Sequence, residues 1–256
     1  MAVEYAPEGL LGTLTPQANT TVEPEFAVLM PAGTAWINAR LTSPKPTIEE
    51  RLVDYFATME SALDQFANAP IGAVAVACTG ASYLAGPEAE DAMIARATAK
   101  AGVPVVTSGI AVVAALNALG ARKIGLVSPY TPGLNAASGA YWRARGFAVT
   151  AQSDAYRDSP DFHPIYSLTA AAAAAALDAM EGQDVDAIVM LGTGMPTLAP
   201  ILARPFIGRA PVLSCMLATA WRGVAAMQGR KPGRDDLLAW VRGETWGGKN
   251  RLPTLR

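Results

Sequence analysis

Apolar and polar positions switch between two periods along the chain, and the switching predicts short buried strands separated by amphipathic helices. Leu10–Thr15 is an apolar strand that runs into the polar loop Pro16–Thr21, where Thr20 or Thr21 caps a helix whose first turn carries Glu23 and Glu25. Ala35–Leu41 predicts a second strand. Thr47–Ala67 then places Ile48, Leu52, Tyr55, Phe56, Met59, Leu63 and Phe66 at helical spacing, a stripe read as core. The run Gly72–Pro87, GAVAVACTGASYLAGP, is apolar up to Cys78 and breaks into small residues beyond it. Val74 and Val76 therefore belong to a strand buried on both faces, and Thr79 and Gly80 turn the chain at its end. A helix over Pro87–Ala101 stopped by Gly102, a strand over Val103–Thr107, a helix over Ile110–Leu119 and a strand over Lys123–Ser128 follow. Strands and helices in alternation predict a parallel sheet.

Three strand-and-loop units occur twice, in the same order. Gly12–Gln17 aligns with Gly125–Tyr130, Cys78-Thr79-Gly80 aligns with Gly192-Thr193-Gly194, and Val103–Ser108 aligns with Ala210–Cys215. One apolar strand is easily matched by chance, but three in order point to a duplicated architecture. The expected fold is α/β, with two pseudo-symmetric αβα lobes, each around a mainly parallel sheet, and a site in the cleft between them. Residues 1–108 form the first lobe in this reading, completed by 213–256, and 109–212 form the second. Within the second lobe Ala170–Ala176 is a helix by propensity alone, and Asp235–Val241 packs as a last helix.

Composition narrows the function. Half of the 256 residues are hydrophobic, enough for a sizeable core, and 20 Lys and Arg against 22 Asp and Glu leave no basic excess to attract nucleic acid or an anionic membrane. Met1–Gly9 carries Glu4 and Glu8 where a secretion signal needs basic residues, and apolar stretches such as Ile110–Leu119 are too short for a bilayer, so the expected location is the cytoplasm. The two cysteines, Cys78 and Cys215, make no disulfide framework and have no zinc-ligand spacing. Both are read as free thiols, Cys215 within the core.

Ligands of open parallel sheets sit beyond the C-terminal ends of the strands. That rule selects Pro16–Thr21, Cys78–Tyr83, Pro129–Asn135 and Gly192–Thr197. None of these loops contains Lys, Arg, His, Asp or Glu, so they hold no metal cage, carboxylate pair or serine–histidine relay. Hydroxyls, amides and backbone N–H groups remain, which suit a small anion such as a carboxylate. Cys78 is then the natural titrating group, although a cysteine ending an apolar strand is more often packing when it stands alone. Asn19 serves equally well as a turn or capping residue, and Tyr83 and Tyr130 as half-buried caps on the core. His163, the one histidine, lies in a turn-rich segment and is read as solvent-exposed. Thr197 stands where a dinucleotide fingerprint needs its third glycine, which rejects a nicotinamide site.

The segments PQANTTVEPEF at Pro16–Phe26, ACTGAS at Ala77–Ser82, SPYT at Ser128–Thr131 and the loop at Gly192 resemble the aspartate/glutamate racemase superfamily. The resemblance is to its maleate cis-trans isomerase and arylmalonate decarboxylase branch. It implies two αβα lobes with a substrate carboxylate between them, no cofactor and no metal, catalytic cysteines on facing loops, and the association of subunits common in that family. It implies Cys78 as the catalytic cysteine, Asn19 as a carboxylate ligand and Tyr130 as a substrate-binding tyrosine. It also places Thr79, Gly80, Thr193 and Gly194 on the loops that cradle the anion. Pro16, Gln17, Ser82 and Thr131 complete the expected binding residues. Gly192 departs from the pattern by standing where the family carries a second cysteine. Two-sided proton exchange is disfavoured by that change. The expected reaction is a decarboxylation of a small malonate-type dicarboxylic acid with Cys78 as proton donor. Alternatives are a maleate-type isomerisation with Cys78 as nucleophile and a carboxylate-binding module without turnover.

Overall fold

The computed structural model describes residues 3–156 and 164–252, so His163 lies outside the described residues. In chain order the elements are β1 (Gly9–Pro16), α1 (Val22–Leu29), β2 (Thr34–Leu41), α2 (Ile48–Ala62), β3 (Ala73–Val76), α3 (Thr79–Ala85), α4 (Pro87–Ala101), β4 (Val105–Thr107) and α5 (Ser108–Leu119). There follow β5 (Lys123–Ser128), α6 (Pro132–Ala144), β6 (Ala148–Asp154), α7 (Ala170–Asp178), β7 (Ala187–Met190), α8 (Leu198–Ala203), β8 (Phe206–Ile207), β9 (Ala210–Ser214), α9 (Cys215–Met227) and α10 (Arg234–Val241). No helix among the described residues is long and apolar enough to cross a membrane.

The strands form two sheets, ordered β2-β1-β3-β4 and β6-β5-β7-β9-β8, and all neighbours run parallel except the short β8 against β9. The repeated segments hold equivalent places: β1 and β5, β3 and β7, β4 and β9 occupy the same positions in their sheets. Parallel strands covered by helices on both faces need apolar side chains on both, and β3 and β7 are buried along their whole length. Each loop that follows a strand C-terminus therefore emerges at one edge of its sheet, which is what brings the Cys78 and Gly192 loops together.

The structure departs from the sequence pattern in three places. The helix expected over Thr47–Ala67 ends at Ala62 and continues as a 3₁₀ turn, Leu63–Phe66, closed by Ala67 at φ 44°. Helix α6 arises from Pro129-Tyr130-Thr131-Pro132, which read as a loop; Pro132 sits in its first turn and the Thr131 hydroxyl accepts the Leu134 N–H, both start signals. Helix α9 begins directly at Cys215 and is buried over most of its length, a helix that the sequence pattern does not place. It packs against α5 and the strands of the first sheet. Ser214 starts it, with its hydroxyl accepting the Leu217 N–H at 3.1 Å. Ser214→Ala is expected to lower stability by about 1 kcal/mol, the usual loss for an N-cap, read by urea denaturation. A loss below a few tenths would show that packing alone sets this helix start.

The two halves are joined behind the site by a buried polar cluster. The Glu90 carboxylate on α4 is fully buried and accepts hydrogen bonds from Thr107 Oγ1 at 2.6 Å, Tyr141 Oη at 2.6 Å and Arg145 at 2.7 Å. A buried charge held this way is satisfied by its partners rather than by water. Tyr83, Tyr141 and Trp142 stack edge-on beside it.

Candidate functional site

β3 ends at Val76, and the chain passes through Ala77 to Cys78, which caps α3. The helix can begin there because Gly80 packs where a Cβ would meet Leu52 Cδ1 at 2.8 Å. Nine of the expected site residues line one cavity of about 30 Å³: Pro16, Asn19, Cys78, Thr79, Gly80, Tyr130, Gly192, Thr193 and Gly194. Ile48, Leu52 and Tyr55 of α2, Leu134 of α6, and Ile165 and Tyr166 complete the walls. A space of that size holds one or two water molecules.

Gln17, Ser82 and Thr131 are not among the lining residues. Gln17 is tied to the Ser43 backbone, donating to its carbonyl at 3.2 Å and accepting its N–H at 2.7 Å. Ser82 is buried within α3, and Thr131 caps α6. Tyr83 packs edge-on against Tyr130 behind the cavity.

Asn19 takes the turn and capping role and also reaches across the cleft. Its Oδ1 accepts the N–H groups of Thr21 (2.9 Å) and Val22 (3.1 Å), starting α1, and its Nδ2 donates to Thr193 Oγ1 at 3.3 Å across the cleft. The Thr193 hydroxyl in turn donates to the Ala77 carbonyl at 2.8 Å. Its proton is spent on the backbone, which leaves the second amide proton of Asn19 and backbone N–H groups as donors here. Thr79 Oγ1 and Tyr130 Oη lie 2.9 Å apart and share a proton, and burial raises the Tyr130 hydroxyl well above its ordinary range, so it stays protonated.

Cys78 is 3% exposed, and burial pushes its thiol up to about 11, against the opposing Ala81 N–H. It is a thiol, not a thiolate, at neutral pH. Across the cavity Gly192 has φ +81°, and a Cβ there would meet Ile165 Cδ1 at 2.8 Å, Pro129 Cγ at 3.0 Å and Tyr130 Oη at 3.3 Å. A side chain there is strained by the positive φ and needs Ile165 and Pro129 to shift. Cys215 is fully buried beneath the cavity, facing the Gly192 N–H and the Thr79 and Tyr83 hydroxyls, and burial pushes it up to about 12.

Two features escaped the sequence pattern. The α2 stripe read as core turns its first members, Ile48, Leu52 and Tyr55, into the cavity wall. Glu25, read only as a first-turn acid, is buried and faces the second sheet, where Thr197 N–H donates to its Oε1 at 2.6 Å. Its spacing from Val22 and Leu29 on one helix face was the available signal. Charge also stands behind the neutral loops: Arg40 donates to the carbonyls of Pro16 (3.3 Å) and Asn19 (3.4 Å) and pairs with Glu23. Among the described residues no three His, Cys, Asp or Glu side chains converge on a metal-sized site.

Comparison with known proteins adds four relations. The family model for arylmalonate decarboxylase matches residues 11–237. A maleate isomerase of Pseudomonas putida (strain KT2440) is 26% identical over 232 residues, 85% of this chain and 91% of its own. Among solved structures, a Nocardia farcinica maleate cis-trans isomerase, a cysteine-to-serine mutant with a covalently bound succinylcysteine intermediate, superposes with a TM-score of 0.75 at 24% identity, covering 87% of this chain and 93% of its own. An arylmalonate decarboxylase with a glycine-to-cysteine and a cysteine-to-serine change, in the liganded form, gives 0.74 at 22% identity, over 88% of this chain and 97% of its own. At these identities the two structures establish the fold.

Proposed function

The chain belongs to the arylmalonate decarboxylase family, and from that premise we propose that it is a cysteine-dependent decarboxylase of a small malonate-type acid, with Cys78 as the proton donor. The carrying observation is that the cavity presents one thiol, faced by a glycine at φ +81°, a backbone conformation that disfavours any side chain, with Ile165, Pro129 and Tyr130 packed against it. Protonation from one side is what a decarboxylase needs.

One substrate carboxylate rests on the neutral donors: the free Asn19 amide proton, the Thr79–Tyr130 hydroxyl pair, and the N–H groups of the Thr79–Gly80 and Thr193–Gly194 turns. The other carboxylate lies against the apolar wall of Ile48, Leu52, Leu134 and Ile165. Its bond to the α-carbon breaks, carbon dioxide departs, and the bonding electron pair passes into an enediolate on the carboxylate that stays. Preorganised donors at such a developing charge are each worth about 3 kcal/mol. The Cys78 Sγ–H bond then gives its proton to the α-carbon, and the resulting thiolate recovers a proton from water. A thiol near 11 stays protonated at neutral pH and is therefore present as the donor.

Kinship with a maleate isomerase favours a second reading, in which Cys78 adds as a thiolate to the double bond of maleate, the new single bond rotates, and fumarate is eliminated. This route must first ionise a thiol that burial holds protonated. A substrate panel decides between them: malonates bearing methyl or phenyl groups beside maleate, followed by carbon dioxide release and by proton NMR of products. Release of carbon dioxide from a malonate is expected. Conversion of maleate to fumarate with no carbon dioxide from any malonate would replace this reading by the isomerase, and binding without any product would replace both by a carboxylate-binding module.

A further inference from the structure

Three side chains at the start of α1 hydrogen-bond to the loop that carries Gly192. Asn19 Nδ2 reaches Thr193, Thr21 Oγ1 donates to the Gly194 carbonyl at 2.8 Å, and the Glu25 carboxylate takes the Thr197 N–H at 2.6 Å and the Thr197 hydroxyl at 3.1 Å. The first two are neutral groups that touch or border the reaction cavity. The third is a carboxylate buried away from it, on the wall of a neighbouring cavity of about 440 Å³. We propose that Glu25 is a positioning residue for the reaction: its anionic carboxylate anchors Thr197, the far end of the Gly192–Thr197 loop, and so sets where the Thr193 and Gly194 N–H groups stand opposite Cys78. This rests on the decarboxylase reading of the same site.

The case against a merely structural role is energetic. Burial pushes the Glu25 carboxyl up to about 7 from an ordinary 4.5, although the Thr197 N–H, the Thr197 hydroxyl and the Leu198 N–H all pull it down. Between those two values the folded chain holds more protons than the unfolded chain, so stability falls as pH rises through that window. Ionised Glu25 therefore opposes folding at pH 8, and a glutamine of the same shape would not. The groups around it do not reverse this sign. Cys215 of α9 stays protonated there; Tyr166, likewise held protonated by burial, and Arg251 line the same neighbouring cavity, and Thr197 and Leu198 offer only neutral donors. A residue that keeps a charge at a loss of stability is expected where function needs it.

The test is Glu25→Gln in the full chain. Its kcat/KM for the malonate the panel identifies is expected to fall about tenfold, the scale of a small misplacement of catalytic groups, with kcat more affected than KM. The wild type should lose rate as pH drops through about 7, and the variant should lack that acid limb. At pH 8 the variant should unfold at the same urea concentration as wild type or a higher one, and its stability should no longer decline between pH 5 and pH 7. Wild-type kcat with the acid limb intact, or a variant less stable than wild type at pH 8, overturns the proposal. Thr197→Val, which removes one donor without touching the charge, gives an independent reading: a several-fold fall in kcat is expected, and unchanged kcat overturns the anchoring of the loop. If no malonate is turned over, the decarboxylase reading fails; the urea experiments need no substrate and still decide whether Glu25 is held as a charge.

Discussion

Cys78→Ala is expected to abolish carbon dioxide release while leaving the chain folded and able to bind malonate. Cys78 carries the one thiol among the residues lining the cavity, and of the tyrosines there Tyr130 is engaged with Thr79, its hydroxyl raised well above its ordinary range by burial. Loss of a general acid typically costs 10²- to 10⁴-fold, and no neighbouring side chain is placed to substitute; Cys215 lies beneath the cavity and outside its lining. Malonate should still raise the melting temperature of the variant, because the anion is held by amides and hydroxyls rather than by sulfur. The pH profile carries the same argument. With Cys78 near 11, a proton-donor role keeps the alkaline side of the profile flat until pH approaches that value and then lowers the rate as the thiol ionises. A nucleophilic role requires the opposite slope, a rate that climbs as pH rises toward 11. Full activity in Cys78→Ala sinks both mechanisms, and a rate rising steadily above pH 8 in the wild type sinks the proton-donor role alone.

How much of this was legible before the structure depends on what kind of signal each residue gives. Strands such as Ala73–Val76 and Ala187–Met190 are buried on both faces and read as unbroken apolar runs, so their ends, and the Cys78 and Gly192 loops after them, were fixed by hydropathy and repetition. Edge strand β6 alternates half-buried and exposed positions with little apolar content, and it left no such trace. The site was legible to the extent that its backbone was: loops at strand ends converge because the sheets are parallel. What lay outside that logic came from side chains crossing between elements. Ile48, Leu52 and Tyr55 have the spacing of any core stripe, and only the packing of α2 over α3 makes them a cavity wall. The spent proton of Thr193 and the buried carboxyl of Glu25 are likewise properties of partners 116 and 172 residues away in the chain, where no local pattern reaches.

The same distant packing determines what happens when the missing sulfur is supplied. Gly192→Cys restores a thiol where the two-cysteine pattern would have one, and sequence alone suggests that it should create a second proton donor and a racemising enzyme. The structure predicts a damaged one. A side chain at φ +81° is strained by about 1–2 kcal/mol, and forcing its Cβ against Ile165, Pro129 and Tyr130 adds about 1–3 kcal/mol of overpacking. Together these remove a large part of the 5–15 kcal/mol that holds a typical domain folded. Activity should fall with stability, because relief of the clash moves Tyr130 Oη, one member of the Thr79–Tyr130 hydroxyl pair on the cavity wall. Gly192→Ala separates backbone and packing from sulfur: it carries the same Cβ, so it should lose nearly as much stability in urea, and neither variant should racemise a chiral 2-substituted acid in deuterated water. Two variants as stable as the wild type would show that Ile165 and Pro129 yield readily. A Gly192→Cys enzyme that exchanged the α-proton of both enantiomers would show more, that the wall opposite Cys78 is open and its one-sidedness lies in sulfur alone.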